Sequence, residues 1–330
     1  MQIDLRTVSI TPKRQTFDHI AKRIGGDKPA SRYLEGTMDV QATANFHYRP
    51  TWDPDYEIFD PKRTAIVMAD WYKLADPRQF YYGTYTIARA RMQDTAEADF
   101  DMVEDRGFAD TYPADAKKTV LDFFIPLRHV AWGSNINNSA ISAYGFGTAI
   151  TPPALYHSMD QLGIAQYLTR LALTMDDVDA LDAAKDAWMQ GAQWQELRRY
   201  VENTMVQKDR FELFVAQNFA LDGLLYPLAY KYVDGALTDK AGPVLSMLTR
   251  FQSEWFAETS KWVDATIKAA ASESSENKAQ LSAWTKAWRD RAVVALKPLA
   301  QQALGAQAES VMTEIVEQFN ARAAKTGLAL

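Results

Sequence analysis

The chain has 330 residues with 36 basic and 42 acidic side chains, a formal net charge of −6. A field of that sign does not attract phosphate, which excludes a nucleic-acid binder and a polybasic membrane protein. There is no cysteine, so disulfides, a thiol nucleophile, thiolate-bound zinc and iron–sulfur ligation are excluded from this polypeptide. With 47% hydrophobic and 24% charged residues, the composition is that of a globular chain able to bury a large core, long enough for about two domains or one large helical one. A cytoplasmic protein is the expectation.

In chain order, the start MQIDLRTVSITPKRQ has no apolar h-region, so no signal peptide is predicted. Short alternations at Ile3/Leu5 and Val8/Ile10 suggest extended chain. Five of the thirteen prolines (Pro12, Pro29, Pro50, Pro54 and Pro61) fall in the first 61 residues, with Gly25, Gly26 and Gly36 adding breaks. No 3.6-residue period survives there. Yet the segment carries Tyr33, Phe46, Tyr48, Trp52, Tyr56 and Phe59, and disordered tails lack such aromatics because they bury nothing. Residues 1–75 therefore read as an extended, mostly irregular arm ordered by docking. Sixty extended residues could reach on the order of 200 Å, so the arm either wraps a partner subunit or folds over its own bundle.

From Asp76 the pattern turns helical, and 76–330 read as one all-α long-helix domain. Helices are predicted near 77–106, 114–144, 152–174, 178–191, 193–206, 209–234, 243–271, 276–304 and 307–325. Pro126 and Pro227 fall inside long helical patterns and should kink them. The carboxylates Asp94, Glu97, Asp99, Asp101, Glu104 and Asp105 read as a solvated face of the first long helix. Phe211, Leu213, Phe214, Val215, Phe219, Leu221, Leu224, Leu225, Leu228 and Tyr232 cover most of a helix circumference, which makes 209–234 central. Its apolar run Phe219 to Tyr232, broken by Asp222, Pro227 and Lys231, is shorter than the roughly 20 residues that span a bilayer. In 243–271, Val244, Leu248, Phe251, Trp255, Trp262 and Thr266 mark one buried face. Lys268 to Asn277 reads as a loop or helix junction, where Ser and Asn compete for backbone hydrogen bonds.

Long bundles of this kind can hold carboxylate-bridged metals, using a Glu from each of two helices and a Glu-x-x-His pair from each of two others. The histidines are His19, His47, His129 and His157, and the residues three before them are Thr16, Ala44, Pro126 and Ala154. None is acidic, so no metal-ligating, catalytic or cofactor-binding residue is predicted. His157-x-x-Asp160 reads as a surface or packing pair and His129 as a hydrogen-bonded core histidine. A Gly-x-Ser-x-Gly elbow and a Gly-rich phosphate loop are missing, and Gly145-Phe-Gly147 lacks the third glycine and follows a helix. Asn135 and Asn138, at i and i+3 within Trp132-Gly-Ser-Asn-Ile-Asn-Asn-Ser, are poor helix formers. They read either as a satisfied polar network inside the bundle or as a surface interruption. A carboxylate-only metal site through Glu202, Glu212, Glu254 and Glu258 is the enzymatic alternative.

Several strings resemble a known family. Arg49-Pro-Thr-Trp-Asp-Pro, Arg63-Thr-Ala-Ile, Asp70-Trp-Tyr and Asp76-Pro-Arg-Gln-Phe-Tyr-Tyr-Gly-Thr-Tyr are similar to the β subunit of bacterial multicomponent monooxygenase hydroxylases. So are Pro126-Leu-Arg-His-Val, Met159-Asp-Gln-Leu-Gly-Ile-Ala-Gln-Tyr-Leu and Phe211-Glu-Leu-Phe-Val-Ala-Gln-Asn. The likeness covers nearly the whole chain and is nearest the phenol hydroxylase branch, with toluene, alkene and methane members further away. It implies a ferritin-like fold, no active site in this chain, and assembly with α and γ subunits as (αβγ)2. The α subunit would carry the di-iron centre. A reductase with FAD and a 2Fe-2S cluster would deliver electrons from NADH, and a small regulatory protein would complete the system. The resemblance also implies that Glu254-Trp-Phe-Ala-Glu258 lies about where α carries a ligand pair, with Trp255 filling volume left by the lost metal. Subunit contacts are expected at Tyr48, Trp52, Phe59, Trp71, Tyr72, Arg78, Phe80 and Tyr81.

Overall fold

The computed structural model describes residues 12–44 and 48–330, and among these there are helices and no strand. The readings at Ile3/Leu5, Val8/Ile10, Phe46 and His47 lie outside the described residues. Two short helices, α1 (Asp18–Ile24) and α2 (Arg32–Thr37), interrupt the arm; the sequence pattern showed neither, because each is under two turns and leaves no periodicity to read. The body runs through α3 (Tyr82–Asp105), α4 (Ala114–Phe123), α5 (Leu127–Tyr144), α6 (Thr151–Met175), α7 (Asp179–Gln190) and α8 (Gln195–Met205). A composite helix, α9, occupies 210–241, followed by α10 (Val244–Leu248), α11 (Arg250–Glu273), α12 (Ser275–Leu304) and α13 (Ala308–Lys325).

Pro126 breaks its helix where a kink was expected. It cannot donate a backbone hydrogen bond and disfavours helical geometry at Ile125, so α4 stops at Phe123 and Pro126 caps α5. Three-residue turns bridge the gap, including Leu127 N–H to Phe124 O at 3.1 Å. Pro227 acts differently. In α9 the turns widen into π-helix over Val215–Leu221 and again over Leu228–Val233, immediately after the proline. Such turns change which residues face inward. Every residue from Leu213 to Tyr226 is buried, so α9 is the central helix. On α3 the acidic run is not wholly solvated: Asp99 is buried beside Arg250, because α10 and α11 pack against that side.

The junction after α11 is tighter than a loop. α11 continues to Glu273, and the Ser274 side chain accepts from Asn277 N–H to start α12. This single break anchors the arm. The buried Asn277 amide accepts from Val67 N–H (3.1 Å) and donates to Val67 O (2.8 Å) and Ala270 O (3.1 Å). Glu273 accepts from Ala69 N–H and Lys73, and Asp209 accepts from Ala65 N–H. Ile66, Met68 and Leu74 enter the main core. Upstream, Ile20, Tyr33 and Met38 form a satellite core against Tyr72 and Tyr81, and Tyr33 accepts from Asp76 N–H at 2.7 Å. The described arm thus folds over its own bundle.

Asn277→Ala removes three hydrogen bonds at once, leaving Val67 and Ala270 backbone groups unpaired. A loss of about 1–3 kcal/mol is expected. Urea unfolding measures it, and limited proteolysis should show faster cleavage within 64–75; an unchanged midpoint and cleavage pattern would refute the anchor.

Candidate functional site: the bundle interior

The interior is built where α5, α6, α9 and α11 come together. A residue and its i+3 neighbour share a helix face, so Ala154 and His157 on α6 look inward together, as do Thr259 and Trp262 on α11; all four are buried. The His157 ring lies 6.0 Å from Trp262 and 4.8 Å, edge-on, from Trp255, which shows the two faces meeting. His157 Nε2 is 3.4 Å from Asp222 Oδ2 on α9 without forming a hydrogen bond, and neither ring nitrogen has a hydrogen-bond partner among the described residues. Its contact is therefore with Asp222 and the indoles, a packing role, and not with Asp160 one turn along its own helix.

Amides fill the adjoining layer. Asn138 on α5 and Asn218 on α9 exchange hydrogen bonds at 2.9 and 2.8 Å. Asn137 donates to Thr204 and Gln217, and Gln217 donates to Asp222 Oδ1. Asn135 ties α5 to α6 through Ser158 O and Oγ, both at 2.8 Å. Of the two readings of the asparagine cluster, the internal network is the one observed.

Beside this layer sits a charged cluster. Arg89 on α3 grips Asp160 of α6 through Nε and Nη2 (2.7 and 2.9 Å) and Glu258 of α11 through Nη1 and Nη2 (3.0 and 2.9 Å). Asp160 also accepts from Tyr85 Oη and Trp255 Nε1, each at 2.8 Å. Arg78, held by Asp76, reaches Glu258 at 3.3 Å. Burial alone would raise the Glu258 carboxyl, but the two guanidiniums outweigh it and hold its pKa below the ordinary value. Burial and the neighbouring Asp160 push the Tyr85 hydroxyl well up, which keeps it a donor.

These residues do not fit a pair of bridged irons. On the faces that meet, α6 presents Ala154 and His157 and α11 presents Thr259 and Trp262, and neither is a Glu-x-x-His pair. An indole N–H donates only and cannot ligate. Nor do the four alternative carboxylates converge: Glu202 pairs with Arg198, Glu212 accepts from Trp288, Glu254 is exposed, and Glu258 belongs to Arg89 and Arg78. Among the described residues no three His, Asp or Glu side chains are grouped to hold a metal ion. The buried Trp255 fills the space beside His157. Arg89 was not singled out in advance, and Asp160 was read only beside His157; a lone arginine on the first long helix gives no local signal of the partners it meets 71 and 169 residues away.

The expected contact residues divide. Arg78 lies inside the charged cluster with Phe80 beneath its guanidinium, at 4.8 Å. Trp71 packs edge-on against Phe146, Tyr72 carries Arg23 over its ring, and Tyr81 lies on the satellite core. Phe59 is half-buried. Tyr48 and Trp52 remain 60% and 56% exposed.

Arg89→Met would strand Asp160 and Glu258, and a loss of about 3–5 kcal/mol is expected, smaller when Asp160→Asn accompanies it. Urea midpoints of the two variants decide this; equal losses would count against the cluster as drawn. His129 makes a second prediction. It stacks on Trp188 with Nε2 buried and unpartnered among the described residues. Burial first, then Arg128 and Lys185, lowers its pKa to about 4. A depressed pKa gives stability that is complete above about 6.5, the ordinary value, and lost as pH falls toward 4. His129→Phe should flatten the stability curve between those limits, as followed by urea unfolding at a series of pH values.

A family model for methane/phenol/alkene hydroxylases matches residues 52–274. The phenol 2-monooxygenase oxygenase component DmpL of Pseudomonas sp. (strain CF600) is 44% identical, with 99% of this chain and 98% of the relative covered. A crystal structure of xenon-pressurised phenol hydroxylase from Pseudomonas sp. OX1 superposes with a TM-score of 0.93 at 42% identity, covering 99% of both chains. The ribonucleotide reductase R2 subunit from Clostridium botulinum shares the fold at a TM-score of 0.61 and 14% identity, over 83% of this chain and 92% of that one. This ferritin-like chain therefore belongs to the methane/phenol/alkene hydroxylase family.

Proposed function

We propose that this chain is the non-catalytic β subunit of a phenol 2-monooxygenase hydroxylase. The observation that carries the reading is the interior: one imidazole without its carboxylate on α6, Thr259 and Trp262 on α11, and a guanidinium where a carboxylate cluster would otherwise need a cation. The likeness to a phenol 2-monooxygenase oxygenase component supports phenol as the substrate of the complex. In this reading an α subunit carries the di-iron centre, γ completes an (αβγ)2 assembly, and the regulatory protein and the FAD- and 2Fe-2S-bearing reductase act on it from the cytoplasm. No helix among the described residues is long and apolar enough to cross a membrane. This chain's part is mechanical. Misplacement of a metal site by about 1 Å can cost about 100-fold in rate, and a rigid neighbouring bundle limits such movement.

The test is co-expression with the neighbouring genes and metal analysis of this chain purified alone. Expected are co-purification with a larger chain bearing Glu-x-x-His pairs, and no stoichiometric iron in the lone chain. Iron with oxygenase activity in the isolated chain would overturn the reading. Tyr48 and Trp52 are exposed aromatics on the arm, so Tyr48→Ala combined with Trp52→Ala is expected to weaken assembly by about 2 kcal/mol, measured as the dissociation constant of the complex.

A further inference from the structure

We propose that a small interior cavity beside Asp222 is the site of one ordered water molecule, which joins the buried amide layer of α5 and α9 to α6. Helical spacing builds its wall. Asp222 and Tyr226 stand at i and i+4 on the α-helical stretch Asp222–Pro227 of α9, so both side chains share one face. Gln161, Ile164 and Leu168 follow at three- and four-residue steps on α6, and with Val130 of α5 they line the same space. Its volume is about 10 Å³, roughly the least that admits a single water.

Size alone would suit a dry void as well, since cavities lined only by aliphatic side chains stay empty. The polar groups decide. Asp222 is 2% exposed. Its Oδ1 accepts from Gln217 at 2.9 Å, whereas Oδ2 has no hydrogen-bond partner among the described residues; His157 Nε2, at 3.4 Å, does not supply one. On the same wall, Tyr226 Oη accepts from Gln161 Nε2 at 3.0 Å, and its own proton has no acceptor among the described residues. Burial first, then Tyr230 and Asp222, pushes the Tyr226 hydroxyl well above its ordinary pKa, so it stays protonated and able to donate. One acceptor and one donor, each buried and each short of a partner, therefore line a space that fits the molecule able to satisfy both. Leaving such groups unpaired is costly, and internal waters are held by them through two to four hydrogen bonds.

The water accepts from Tyr226 Oη and donates to Asp222 Oδ2. The hydrogen bonds then run without a gap from both ends toward one carboxylate. From α5, Asn137 donates to Gln217 and Gln217 to Asp222, each at 2.9 Å. From α6, Gln161 donates to Tyr226, Tyr226 to the water, and the water to Asp222. Asp222 becomes the acceptor at which α5, α6 and α9 meet. A metal cation does not suit the same space, because hard cations take about six or more oxygens. The wall offers side-chain oxygens from Gln161, Asp222, Tyr226 and Tyr230 alone, among aliphatic residues.

The test is a crystal structure of the full chain as purified, at a resolution that orders internal water, with parallel crystals pressurised with xenon or soaked in rubidium chloride. Expected is one spherical peak about 2.5–3.0 Å from both Asp222 Oδ2 and Tyr226 Oη, unchanged by either treatment. Xenon at that position would reveal a dry void, and an anomalous rubidium peak a cation. Either result overturns the proposal, as does the absence of any peak. Val130→Ile adds a methylene against the cavity and gives an independent reading by its sign. Crowding a bound water should lower the melting temperature by about 2 °C or more, whereas filling a dry void should raise it and count against the water. Should the variant fail to fold, the unmodified crystals alone decide.

Discussion

Arg89 holds three helices by one guanidinium. Its fork faces Asp160 on α6 and Glu258 on α11 from a start on α3, so the spacing of these helices is set by hydrogen-bond lengths and not only by side-chain volume. Charges taken out of water must be matched with good geometry, or each costs several kcal/mol. Here Tyr85, Trp255 and Arg78 supply the remaining donors. The planar, bidentate reach of arginine suits this position better than the point charge of lysine. A protein-borne cation cannot dissociate, so the carboxylates are neutralised permanently, and α11 and α6 are fixed relative to each other without a metal ion.

The amide layer extends the same logic with neutral groups. Asn138 and Asn218 satisfy each other, and Gln217 reaches both Asn137 and Asp222. Consecutive polar residues 217 and 218 both lie in the interior because α9 is buried on every side there. Buried networks of this kind specify one arrangement of helices when their partners are present.

The arm shows how one break in a bundle becomes a fastening point. α11 and α12 leave backbone and side-chain groups at Glu273, Ser274 and Asn277, and residues 65–73 dock along them. Pro and Gly placement keeps most of the described arm out of helix, leaving its backbone groups free for this attachment. Tyr48 and Trp52 stay exposed on the same arm.

The long helices and the centrality of α9 were legible in the sequence, because hydrophobic periodicity is a local property. The break at Pro126 in place of a kink, the π turns, and the one-residue junction at Ser274 were not, since local propensity does not record how neighbouring helices absorb a lost hydrogen bond. Asp160 looked like the partner of His157, three residues away, yet Arg89 and Trp255 claim it from 71 and 95 residues away. Arg78, expected at a subunit contact, has its guanidinium held between Asp76, Glu258 and the Phe80 ring. Sequence fixes which groups a chain possesses and the helical face each lies on. Which charge meets which in the interior is decided by long-range packing, because burial makes pairing compulsory without saying where along the chain the partner must come from.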